Sequence, residues 1–279
     1  MTKNPRFFQD SDERYSNQRS RRLGSWLLAI SCVALAGVAA AGWSIASAEE
    51  TTAALVQQIA RADRAGKGDE LLRLANELIA QDPRSADAFY FRGREHFRRG
   101  AIEKSVADFD RLVQLRPERE PPQWERGIAL YYARQYARGA KQFELYQTYD
   151  SRDVENSVWR YLCLAKVDGV EKARSTMLPI ENDPRVPMME VFGMFAGKVT
   201  PQQVLAAAHA GEPDPVTLAG RLFYAHLYLG LYYDAAGNDE LCRKYIDLAA
   251  DEKLNGHPRI NSYMWAVARV HQGTLQQNK

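Results

Sequence analysis

The sequence predicts an all-α fold: a right-handed superhelical solenoid of helix pairs behind one N-terminal transmembrane or signal helix. Three observations carry this. Pairs of like residues recur 34 positions apart: Gly66 and Gly100, Pro83 and Pro117, Gly93 and Gly127, Phe109 and Phe143. A fixed period of this length marks stacked repeats, each a supersecondary unit too small to bury its apolar face alone. Residues 23–48 carry no charged side chain. No convincing strand pattern runs anywhere in the chain.

The repeat fits a two-helix template. In the unit 86–119, Gly93 sits where two helices approach too closely for a side chain, and Gly100 ends the first helix. Ser105, Phe109 and Leu112 form one stripe of the second helix, and Pro117 stops it. The unit 52–85 repeats this with Leu71, Ala75, Leu78 and Pro83. The unit 120–153 has Gly127, Phe143 and Tyr146, with Gly139 at a small-residue site. The unit 154–187 is degenerate: Trp159, Leu162 and Lys166 keep helical spacing and Ala173 takes the small site, but the packing glycine is gone. A fifth unit, 223–256, carries Leu229-Gly230, Tyr233, Gly237, Cys242, Ile246 and Ala249. Between them, 188–217 reads as atypical helices. Thr200-Pro201-Gln202-Gln203 is a helix start, with Thr200 at the N-cap and Pro201 in the first turn. A final helix at 259–272 is expected to cap the stack.

The 34-residue helix pair resembles the tetratricopeptide (TPR) repeat. Arg126-Gly127-Ile128-Ala129-Leu130-Tyr131-Tyr132, followed by Ala140, Phe143 and Tyr146, is similar to the middle repeats of NlpI-type bacterial envelope lipoproteins. Trp159-Arg160-Tyr161-Leu162, Leu164-Ala165 and Tyr228-Leu229-Gly230-Leu231-Tyr232-Tyr233 resemble the later repeats of that family. The likeness spans roughly 85–250. It implies an envelope scaffold that docks proteases and cell-wall hydrolases, often as a homodimer. The chain departs from the family at Cys32, where Ala29-Ile30-Ser31 is not a lipobox.

The N-terminal fifty residues address location. Of 37 basic and 35 acidic residues, six and three precede Glu49, which leaves a near-neutral remainder of 31 and 32. Nucleic-acid binding has no basic face to rest on. Residues 1–22 form a basic cytoplasmic leader ending in Arg19, Arg21 and Arg22. The run 23–48 is long enough to cross a bilayer, and its positive flank orients residues 49–279 outward, into the periplasm of a bacterial-type inner membrane. The alternative is a signal segment cut after Ala46-Ser47-Ala48. Both place the solenoid outside the cytoplasm.

Chemistry is sparse. The five histidines and three cysteines show no metal-ligand spacing, and no nucleophile elbow or phosphate loop occurs. No catalytic residue, metal or cofactor is expected. His96 reads as a packing histidine. Cys163 and Cys242 read as small buried hydrophobes, with a disulfide between them the alternative.

The candidate site is the concave groove, which the first helix of each TPR unit lines. Repeat position puts Tyr90, Arg94, Phe97 and Arg98 there from one unit and Trp124, Ile128, Tyr131 and Tyr132 from the next. Aromatic rings with arginine are the mix enriched at binding hot spots, suited to an extended peptide or a helix of a protein partner. Arg94 is expected to be exposed, able to take a carboxylate or stack on a ring. The sequence therefore predicts a non-enzymatic scaffold or adaptor of the cell envelope. The alternatives are an accessory subunit of an envelope protease or cell-wall enzyme, and a structural subunit of a membrane assembly.

Overall fold

The computed structural model describes residues 38–277, with side chains from position 51 onward. The chain divides into Met1–Ala54 and Leu55–Lys279. Of the expected membrane segment, residues 23–37 lie outside the described residues. The remainder forms the start of a helix, α1, that runs on from Val38 to Arg64. Among the described residues no helix is long and apolar enough to cross a membrane.

The described residues are helical throughout, without a strand. After α1 come α2 (Gly68–Gln81), α3 (Ala86–Arg98), α4 (Ile102–Leu115), α5 (Trp124–Tyr132) and α6 (Tyr136–Tyr146). Then follow α7 (Val154–Asp168), α8 (Val170–Ser175), α9 (Met188–Phe195), α10 (Pro201–His209), α11 (Pro215–Ala235), α12 (Asp239–Ala249) and α13 (Ser262–Gln277). Consecutive helices pack as TPR-like pairs, α3 on α4, α5 on α6 and α11 on α12.

The packing follows the period. Each second helix buries one stripe, Leu71, Leu74, Ala75 and Leu78 in α2 and Ser105, Phe109 and Leu112 in α4. Full burial of each large apolar side chain contributes about 1.5–3 kcal/mol. In α3, α5 and α11 the glycine of the first helix faces a large side chain 16 residues on. A Cβ at Gly127 would stand 2.6 Å from the Phe143 ring, and one at Gly230 2.6 Å from Ile246. At Gly93 the same contact, to Phe109, is a looser 3.3 Å. Gly139 also needs its small size: a Cβ there would meet Cys163 Sγ at 2.8 Å. Gly66 and Gly100 end their helices with φ of +66° and +71°. The third turn of that series is Arg134, which holds φ +58° without being glycine.

A second device shares the period and escapes the apolar template. Arg92, Arg126 and Arg160 are 34 apart, and each joins the second helix of the preceding pair to that of its own. Arg92 donates to Asn76 at 2.8 Å and to both Asp108 oxygens at 2.8 and 2.7 Å. Arg126 donates to Asp110 at 2.9 Å and to Gln142 at 2.6 Å. Arg160 donates to Glu144 Oε1 through two nitrogens, at 3.0 and 2.8 Å, and to the Thr176 carbonyl. The guanidinium fork suits this bridging because its donors point in two directions at once. The three arginines form a ladder across four successive second helices.

Beyond α7 the geometry loosens. α8 is short, and a loop leads from Thr176 to Pro187. Its anchor is Arg185, which donates to Glu155 and Asp153 at 2.6 Å each and to Asp183. Tyr228 of α11 donates to the other oxygen of Glu155 at 2.6 Å. Three carboxylates around one guanidinium leave Glu155, by burial, with a raised pKa even beside Arg185. The atypical stretch 188–217 is the helix pair α9–α10. At the start of α10, Thr200 Oγ1 accepts from the Gln203 N–H, and Gln203 Oε1 accepts from the Thr200 N–H. The expected start of the fifth unit at 223 falls inside α11. Asp214 caps that helix by accepting from the N–H groups of Val216 and Thr217, so it begins at Pro215.

Candidate interaction groove

The groove-facing residues of α3 and α5 do come together, but beneath another part of the chain. α13 packs on α12 and also lies against α3 and α5. Its buried residues Tyr263, Val267, His271 and Leu275 recur every fourth position, one apolar stripe of a helix. Tyr263 stacks on Phe97 at 4.7 Å between ring centres and meets Trp124 edge-on at 5.3 Å. Its hydroxyl donates to the Glu125 carbonyl. Burial pushes the Tyr263 hydroxyl pKa far above its usual value. Two turns on, His271 Nδ1 lies 3.1 Å from the Tyr132 hydroxyl.

The eight residues thus have three fates. Phe97 and Ile128 are fully buried core. Trp124 and Tyr132 are half-buried beneath α13, and the Tyr131 hydroxyl donates to Asp234 of α11 at 3.3 Å. Tyr90, Arg94 and Arg98 belong to a polar cluster between α1, α3 and α5. Arg94 donates to the Tyr90 hydroxyl at 2.9 Å, and that hydroxyl donates to Glu125 at 2.9 Å. Arg98 donates to Asp63 at 2.6 Å, and Arg94 stands 3.9 Å from the same carboxylate.

This corrects the expectation for Arg94. It is 3% exposed, because α13 covers it and Tyr263 offers it a ring face at 5.8 Å. A buried guanidinium requires a counter-charge, and Asp63 is that counter-charge. Burial alone would raise the Asp63 pKa, but Arg94 and Arg98 outweigh it and hold the carboxyl below its ordinary value.

The other sequence candidates also find places. His96 is half-buried, with Nε2 3.7 Å from Asp108, and burial lowers its pKa. Cys163 and Cys242 are both buried and both free thiols, so no disulfide joins them. One group of metal-ligating side chains lies close together among the described residues: Asp234, Cys242 and His271, at the inner end of the groove. It comes from three helices, and so has no local spacing for a sequence motif to show. The position of α13 was hidden in the same way. Its apolar stripe is legible, but the same stripe would serve a simple cap on α12.

No family model matches the chain. In fold it is similar to a tetratricopeptide repeat protein from Parabacteroides merdae ATCC 43184, with 14% identity and a TM-score of 0.47 over 79% of this chain and 84% of that one. It is also similar to a chain in the structure of Naa15/Naa10 bound to HypK-THB, at 12% identity and a TM-score of 0.40. There it covers 94% of this chain and 38% of the other.

Proposed function

We propose that this protein is a non-enzymatic interaction scaffold of the bacterial envelope, whose concave groove takes a helical segment of a protein partner in exchange for α13. The observation that carries the reading is the seating of an amphipathic helix on the aromatic residues that repeat position assigns to partner binding. Phe97, Trp124 and Tyr132 accept Tyr263 and His271 from α13. A groove that fits one helix supplies the spacing and the rings for another of like pattern. The uncharged run 23–48 after Arg19, Arg21 and Arg22 supports an inner-membrane anchor with the solenoid in the periplasm. The stretches that resemble NlpI-type repeats support an envelope role, and with it a homodimer.

The test uses the full chain, purified in detergent, with Tyr263→Ala to loosen α13. Cross-linked capture of an envelope protein is expected to rise several-fold over wild type and to fall again when Trp124→Ala is added. Melting curves on each variant show that the fold persists. Equal capture by all three proteins would place the contact away from the groove. For location, a phosphatase fused after Lys279 is expected to be active, and a stable but inactive fusion would refute the outward orientation.

A further inference from the structure

We propose that Asp234, Cys242 and His271 form a binding site for a zinc-class divalent metal ion that ties the C-terminal helix to the α11–α12 pair. One carboxylate oxygen, the thiol sulfur and one imidazole nitrogen lie within 4.8 Å of one another. Sulfur and His271 Nε2 are 3.7 Å apart. Bond lengths of about 2.3 Å to sulfur and 2.0 Å to nitrogen in a tetrahedral site put those two donors about 3.5 Å apart. The pair already stands at nearly that separation. The carboxylate has farther to close, and it belongs to the most exposed of the three side chains, 20% against solvent.

The surroundings orient the donors as a metal site requires. Tyr132 engages His271 Nδ1 at 3.1 Å. With the proton on Nδ1 and donated to the Tyr132 oxygen, Nε2 turns its lone pair toward Cys242. Such an outer hydrogen bond fixes the tautomer and aim of a ligating histidine. The Tyr131 hydroxyl and the Lys166 ammonium both contact Asp234 Oδ2, at 3.3 and 3.0 Å. The Tyr131 hydrogen bond holds the carboxylate in place, while Lys166 competes with a metal for it. Thiolate, imidazole and carboxylate together select zinc over magnesium or calcium, which take oxygen ligands alone. Binding replaces the thiol proton with the metal and releases that proton to water, while solvent at the Asp234 side supplies the fourth ligand. Lys166 is the opposing charge. It is 32% exposed, so it can swing into solvent as a dication arrives.

Cobalt(II) is the probe, titrated into the chelator-stripped full chain in detergent. One equivalent is expected to produce a sulfur-to-cobalt charge-transfer band with the visible bands of four-coordinate cobalt, and zinc is expected to bleach both. Cys242→Ser should abolish the charge-transfer band and Cys163→Ser should leave it. Tyr132→Phe should weaken binding by about 10–100-fold, as loss of an orienting partner does. Lys166→Met should tighten it, a response that mere packing around the cluster would not produce. Should Cys242→Ser fail to fold, Asp234→Asn at the exposed edge tests the same site through a loss of affinity. Absence of the band in wild type, or its persistence in Cys242→Ser, would overturn the proposal. The titration is read on the chain alone, so its outcome is separate from partner capture, which a bound metal would oppose by holding α13 in place.

Discussion

The two halves of the solenoid are held together by different arrangements of the same chemistry. From α2 to α8, arginines bridge successive second helices at a constant step, and Arg92, Arg126 and Arg160 take acceptors 16 residues before and after themselves. From α7 to α11, a single arginine, Arg185, gathers Asp153, Glu155 and Asp183 from two places in the chain. The ladder is local, each rung drawing its acceptors from within 16 residues of itself, so losing one rung leaves the others intact. The Arg185 centre concentrates three negative charges on one cation, so its loss strands all three. Regular repeats spread their polar stabilisation, whereas a departure from the repeat concentrates it.

The largest effect expected from this contrast is at Arg185. Arg185→Ala should cost about 3 kcal/mol, because the buried Asp183 and the half-buried Asp153 and Glu155 lose their shared counter-charge. Chemical denaturation measures it, and a loss under 1 kcal/mol would equate the Arg185 centre with an ordinary surface pair. Next comes the glycine series. Gly127→Leu should cost about 3 kcal/mol, since the new side chain meets the Phe143 ring head-on. Gly93→Ala should be close to neutral, its looser contact offset by better helix propensity. A Gly127→Ala variant costing no more than Gly93→Ala would contradict the difference in clearance at the two sites.

Smaller effects sharpen the other side of the comparison. Arg126→Ala should cost about 1–2 kcal/mol, the scale of partly exposed hydrogen bonds to charged groups. Removing a second rung at Arg160 should add nearly independently if the ladder is truly local. Arg134→Gly should stabilise by about 1 kcal/mol, because the left-handed conformation there strains an L side chain and not a glycine. Last is a pH effect at His226, which lies 5.9 Å from the Tyr245 ring. Burial first, and Lys244 second, push its pKa down to about 4. Between pH 6.5 and 4 the unfolded chain therefore binds more protons than the native one, and stability falls as pH drops through that window. Thermal melts of His226→Gln should show a shallower decline over the same range.

Much of the first half is legible in the sequence because its determinants are periodic. The glycines, the phenylalanines and the helix-ending turns all recur, and the ladder arginines recur with them, one residue before Gly93 and Gly127. Arg92 and Arg126 could have been recognised from spacing alone, since an acidic or amide side chain stands 16 residues to either side. The start of α10 was equally plain, because Thr200 and Gln203 satisfy each other's backbone within one turn. Arg94 was not legible. Its repeat position is groove-facing, and whether a groove-facing residue is solvated depends on what else occupies the groove.

Period, helix pairing, stripes and caps follow from the sequence by itself, since each depends on residues within about one repeat of one another. Tertiary structure alone decided that α13 returns to α3 and α5, that Arg94 is buried against Asp63, and that Asp234, Cys242 and His271 meet. Those contacts join residues far apart in the chain, such as Phe97 with Tyr263 and Tyr132 with His271. They are set by small angles between successive helix pairs, which add up along the stack and leave no mark in any one repeat.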